Sequence, residues 1–174
     1  VSRAVAVQLS TQLGQSVVVE NKAGGAGTIA MNEVAQSAPD GYTLILGHVG
    51  TLAVNPYAMA SQPYDVNRDF APVALLARVP NLFVLSAQVP ARDFKEFIAL
   101  AKKEPGKLNY GSAGNGSAGH LAFEYLKHVT GMDIVHVPYK GSSGARTDIL
   151  GGQVQMMFDA VTTMSEHAKT GRVK

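Results

Sequence analysis

The 174-residue chain is 46% hydrophobic and 16% charged, with a formal net charge of +2 and no cysteine. That composition suits a compact fold and argues against disorder; the missing cysteine excludes disulfides, thiolate-bound zinc and a thiol nucleophile. The small, scattered charge leaves no footprint for nucleic acid, and no run approaches the roughly 20 apolar residues of a membrane span.

In chain order, Val1, Val5, Leu9 and Leu13 recur four apart and predict an opening helix that Gly14 stops. The chain thus starts inside a helix pattern without Met, and it ends just past Gly171, where a strand would follow. Both termini are therefore expected to be cut from something longer. "SVVVE" (16–20) predicts a buried strand, "NKAGGAG" (21–27) a loop, and 28–37 a helix. "TLILG" (43–47) predicts the next strand, followed by a helix near 50–60. "APVALLARV" (71–79) and "NLFVLSA" (81–87) are two more strand-like runs, separated by Pro80.

Phe94, Phe97, Ile98 and Ala101 fall on one helix face, with Asp93 as cap and Glu96 as its return partner. Pro105-Gly106 ends that helix. "KLNYG" is then a strand, 117–130 a helix, "DIVHV" a strand, 142–151 a helix, "VQMMFDA" a strand, and 162–170 a last helix. Such alternation implies an α/β fold with mostly parallel sheet and helices on both faces. The back-to-back runs at 72–86 interrupt it and read as a crossover between two lobes. The seam is expected near Val89-Pro90, so that 1–88 belongs to a first lobe and 89–174 forms the second.

The chemistry concentrates at strand ends, where open α/β sheets bind ligands. After "LNY" come Gly111, Ser112, Ala113, Gly114, Asn115, Gly116 and Ser117, and then a helix. Three glycines permit positive φ, the helix start leaves N–H donors unpaired, and Ser112, Ser117 and Asn115 add polar groups. This is an anion site in its chemistry, or else a tight turn with Ser117 as N-cap. Gly114, Gly116 and Gly119 match G-x-G-x-x-G. A dinucleotide site also needs an acidic residue closing the next strand, and "DIVHVPYKG" has none there; Asp133 stands at the wrong end. A nucleotide-dependent α/β enzyme is the alternative reading. No phosphate-binding P-loop, hydrolase elbow or H-E-x-x-H is present, and His48, His120 and His136 are expected to be structural.

Asp159 closes a buried strand and faces the same edge, as a ligand acceptor or as an N-cap. Tyr139 can stack on or hydrogen-bond a ligand, and Lys140 can supply charge. Thr51 stands at a similar strand-to-helix junction in the first half.

The blocks "VVVENKAGGAGTIA", "APDGYTLILG", "RDFAPVALLA", "LNYGSAGNGSAGHLAFEYLKHVTGMDIVHVPYKG" and "DILGGQVQMMFDA" resemble, in order and over essentially the whole chain, the Bug-type extracytoplasmic receptors of tripartite tricarboxylate transporters. The resemblance implies a two-lobed, type II-like periplasmic binding protein without enzymatic activity or cofactor. It implies a receptor, expected to be monomeric, that closes on a small carboxylate (an organic acid, acidic amino acid or aromatic carboxylate) and delivers it to membrane transporter subunits. Carried over by position, the ligand grip falls on Ser112, Ala113, Gly114, Asn115, Gly116 and Ser117, on Tyr139 and Asp159, and on Thr51 from the first lobe. The family's opening strand with its glycine loop, and its closing strands, have no counterpart in this sequence.

Overall fold

The computed structural model describes residues 1–174. It divides into two compact units, Val1–Arg78 and Val79–Lys174. The division lies ten residues ahead of the seam expected at Val89-Pro90. The reason is pairing: the run at 81–85 is a strand of the second unit's sheet, so it belongs with its partner.

The first unit holds helices α1 (Ser2–Leu13), α2 (Thr28–Ala35), α3 (Asn55–Ala58) and α4 (Val66–Asp69), with a 3-10 turn at Gly25–Gly27 and a π-helical stretch at Gly50–Val54. Gly14, at φ 64°, ends α1 in the left-handed region, where a residue lacking Cβ is unstrained. The strands expected at 16–20, 43–47 and 71–79 do not form. An apolar run becomes a strand only when a neighbour accepts its ladder bonds, and this unit contains no strand pair. Val18, Leu44 and Val73 accordingly stand exposed.

The second unit carries strands β1 (Asn81–Leu85), β2 (Asn109–Ser112), β3 (Val135–Pro138) and β4 (Met156–Ala160), and helices α5 (Phe94–Lys103), α6 (Ala118–Thr130), α7 (Ser142–Leu150) and α8 (Val161–Lys169). The sheet order is β1-β4-β2-β3; β2 is parallel to both its neighbours, and β1 is antiparallel to β4. Alternation along the strands divides the core between two faces. Leu85, Tyr110 and Met156 pack with Phe97 and Ala101 of α5 and Phe123 of α6. Val84 and Met157 pack with Ala145 and Ile149 of α7 and Met164 of α8. The expected mostly parallel sheet covered on both sides is therefore the architecture of this unit.

Asp93 caps α5 as expected, its Oδ1 accepting from Glu96 N at 2.8 Å. Glu96 reaches back one residue further than a capping box requires, and its Oε2 accepts from Arg92 N at 2.8 Å. Asp93→Ala is expected to cost about 1 kcal/mol, read as a shift of the urea midpoint. An unchanged midpoint would mean that the cap contributes nothing.

Candidate functional site at the carboxyl edge of the sheet

Because β2, β3 and β4 run parallel, Ser112, Pro138 and Ala160 end on one edge. Gly111 pairs with Met157. Two residues further on, Ala113 and Asp159 therefore occupy adjacent places, about 5 Å apart across the strands. This is where the chain brings together the second-unit residues singled out in the sequence.

The glycines of the loop divide into two roles. Gly114 (φ 123°) and Gly116 (φ 74°) do adopt positive φ. Gly111 does not; it lies within β2, and a Cβ there would stand 3.1 Å from the Ala145 Cβ. Its bare backbone lets α7 approach the sheet, so the positive φ expected of it is replaced by a packing role. Ser117 is the N-cap of α6, its Oγ accepting from His120 N at 3.4 Å.

The loop spends part of its donor set on itself. Gly114 N donates to Ser112 Oγ (3.1 Å), Gly116 N to His120 Nδ1 (3.1 Å), and Ser117 N to Gly114 O (3.1 Å). The amides of Ala113, Asn115 and Ala118 meet no acceptor in the protein, and Gly119 is buried against Phe158. Ala113 and Asn115 are exposed. Open donors thus flank the N-terminus of α6, whose dipole favours an anion by ~0.3–1 kcal/mol.

Beneath the loop lies a stack of rings that the motif reading did not anticipate. His136 packs between Tyr110 (centroids 4.7 Å apart) and His120 (4.2 Å), and Tyr110 stacks in turn on Phe123 at 4.3 Å. Ser112, fully buried, holds the top of this stack: its Oγ lies 2.6 Å from His136 Nε2. Burial, aided by the charge of His120, depresses His136 to about 4. A serine beside a histidine has the outline of a nucleophile and its base. Here the serine is sealed from solvent, the histidine is a weak base, and no carboxylate hydrogen-bonds to it. The pair serves instead as the loop's anchor. Ser112→Ala is expected to cost about 1–3 kcal/mol, since Gly114 N–H loses its acceptor and His136 its partner. Wild-type stability would show that the hydroxyl does not hold the loop.

Asp159 is not an N-cap: that place before α8 is taken by Ala160, with no side-chain cap bond. Its carboxylate is paired with Arg146, which sequence reasoning passed over. Arg146 Nε and Nη2 both lie 2.8 Å from Asp159 Oδ2, and Thr163 Oγ1 donates to the same oxygen at 3.1 Å. A buried strand-end acid calls for a cation, and Arg146, beside the core residue Ala145 on α7, was the available signal.

Tyr139, expected to stack on or hydrogen-bond a ligand, has its hydroxyl engaged within the protein. Its OH donates to Asp148 at 2.5 Å, and burial and that bond push it up to about 12. Its amide donates to Ser112 O (3.1 Å), tying β3's end to the loop. Lys140 is exposed.

In the first unit, Thr51 is buried inside the π-helical stretch rather than capping it. Its Oγ1 lies 3.2 Å from both His48 N and His48 O, and its carbonyl accepts from Tyr64 OH at 2.7 Å. Asn55 Nδ2 donates to Ala26 O at 3.1 Å, so this buried polar group also braces the glycine turn of that unit.

A cavity of about 220 Å³, lined by Ser86, Gln88, Glu104 and Gln155 among others, opens at the amino end of the sheet. Ligands of open α/β sheets bind at the other end, and the carboxyl edge remains the candidate.

The sequence profile described as the tripartite tricarboxylate transporter family receptor, TctC, matches residues 1–174. Among solved structures, Rpa4515 of R. palustris with adipate is 37% identical, with a TM-score of 0.94 over 99% of this chain and 58% of that one. MatC (Rpa3494) from Rhodopseudomonas palustris with bound malate is 34% identical, with a TM-score of 0.91 over 99% and 59%. The periplasmic binding protein BugD is 35% identical, with a TM-score of 0.91 over 99% and 57%. The chain spans about half the length of the curated relatives it matches, 52% and 54% of two of them. With the profile matching from its first residue to its last, the chain belongs to the TctC family of tripartite tricarboxylate transporter receptors.

Proposed function

We propose that this protein captures a small carboxylate outside the cytoplasmic membrane, in the periplasm, and delivers it to the membrane subunits of a tripartite transporter. The observation that carries the reading is the set of unpartnered amides at Ala113, Asn115 and Ala118, at the head of α6. A carboxylate there exchanges water for fixed N–H donors and needs no compensating cation. Ser112, Gly114, Gly116 and Ser117 act by holding the loop in that shape, and Asp159 borders the ligand. Thr51 and Tyr139, whose hydroxyls are occupied, act by shaping the backbone around them. The resemblance of the chain to carboxylate-bound receptors supports the same ligand class.

The test is a thermal-shift screen of the full-length protein against mono-, di- and tricarboxylates and against nucleotides. A ligand at a hundred times its Kd stabilises the native state by about 2.7 kcal/mol and raises Tm accordingly. Carboxylates are expected to do so and nucleotides not. A shift with nucleotides alone would overturn the reading in favour of the coenzyme-dependent alternative.

A further inference from the structure

Asn115-Gly116 is the only Asn-Gly pair in the chain, and it lies in the loop ahead of α6. Asn115 is exposed, and its side chain bonds nothing in the protein; the side chains that tie the loop down are those of Ser112, Ser117 and His120. Its carboxamide is free to swing over the backbone nitrogen that follows. Glycine at the next position has no Cβ to obstruct that approach. An asparagine so placed is open to attack by its neighbour's amide nitrogen, which closes a succinimide ring and expels the side-chain nitrogen.

That attack is slow in an ordinary loop, where the peptide N–H has only water to take its proton. The Gly116 N–H has a base instead: it donates to His120 Nδ1 at 3.1 Å. An N–H can only donate, so Nδ1 is the unprotonated nitrogen of the imidazole, within the reach a general base needs. A carbonyl acceptor would hold this proton without taking it; an imidazole nitrogen can take it. His120 is itself fixed, since its amide bonds Ser117 Oγ at 3.4 Å and its ring stacks on His136.

We propose that Asn115 is a self-modification site, deamidated with His120 as catalytic base, and that the product lowers the affinity for carboxylates; this second half rests on the receptor reading above. His120 Nδ1 takes the Gly116 proton as Gly116 N bonds to Asn115 Cγ. The Cγ–Nδ2 bond then breaks, its electron pair leaves with the nitrogen, and the proton handed on by His120 completes ammonia. Water opens the ring at either carbonyl, leaving aspartate or isoaspartate at position 115. Water is consumed and ammonia released, with nothing oxidised or reduced. Either product sets a carboxylate beside the open amides of Ala113 and Ala118, where it competes for the ligand's donors and repels the ligand's charge.

The experiment ages the full-length protein at neutral pH, folded and in parallel unfolded in urea, and follows residue 115 by peptide mass spectrometry. The folded protein is expected to convert faster than the unfolded chain. His120→Gln keeps an acceptor for the Gly116 amide but not a base, and should slow conversion in the folded state by at least about tenfold. Conversion no faster folded than unfolded, or an unchanged rate in folded His120→Gln, overturns the proposal; if that variant does not fold, the wild-type comparison decides. Asn115→Asp imitates the product and should weaken carboxylate binding, read by calorimetric titration, by at least about tenfold. Asn115→Gln, which stays neutral, should lose less. Unchanged affinity in Asn115→Asp, or an equal loss in the two variants, overturns the second half. Failure of fresh wild type to bind any carboxylate overturns the receptor reading and the second half together, and leaves the deamidation standing.

Discussion

Phe123→Ala is expected to destabilise the second unit by about 3–5 kcal/mol, the range for emptying a fully buried aromatic site. Phe123 is 0% exposed, and its ring centroid lies 4.3 Å from Tyr110, 4.8 Å from Phe158 and 5.8 Å from Phe83. Those rings belong to β2, β4 and β1, so one side chain fastens α6 to three strands. None of them can collapse into the void without leaving its place in the sheet. The same helix carries the open amides at its N-terminus. Its loosening should therefore lower carboxylate affinity as well as stability. Tyr125→Ala is the control: it lies on the same helix but is 68% exposed, and should change stability by no more than about 0.5 kcal/mol. Equal urea midpoints for the two variants would show that α6 is not held by this cluster.

How much of this was legible in the sequence depends on how local the cause is. Asp93 and Ser117 announced their caps because an N-cap is decided within three or four residues. The runs "VQMMFDA" and "KLNYG" announced strands, and the alternation of elements announced a sheet covered on both faces. The first half misled: "SVVVE" and "TLILG" have strand composition, yet pairing is a property of two segments and no partner is present to accept their bonds. At the site, the glycine loop and Asp159 stood out because glycines and a strand-terminal acid mark themselves. Arg146 and the His120–His136 stack did not, because each acquires its meaning from a neighbour far along the chain. His136 meets Ser112 24 residues away, and Arg146 meets Asp159 13 residues away. The partner of Tyr139 was hidden for the same reason: its hydroxyl bonds Asp148, one element later.

The ring stack also makes stability respond to pH. His136 is partly buried in its neutral form, and its folded value of about 4 lies below the ordinary histidine value of about 6.5 that the unfolded chain retains. Between those limits the unfolded state binds a proton that the native state refuses, so stability rises with pH across that window and falls on acidification. Below about pH 4 both states hold the proton and this contribution is flat; above about 6.5 neither does. With partial exposure discounted, the loss from pH 6.5 to 4 should be on the order of 2 kcal/mol. The groups around the ring are His120 and Lys127, whose charges oppose protonation, Glu124, which favours it, and the neutral Tyr110 and Ser112. Burial outweighs the single acid. His136→Gln retains an amide that can bond Ser112 but does not titrate in this range. Urea unfolding of both proteins at half-unit steps from pH 4 to 7.5 separates this residue from the background carboxylates. The wild type is expected to lose more stability on acidification than the variant, with the difference accumulating between pH 6.5 and 4. Parallel curves for the two proteins would mean that His136 is as free to take a proton in the fold as it is in the unfolded chain.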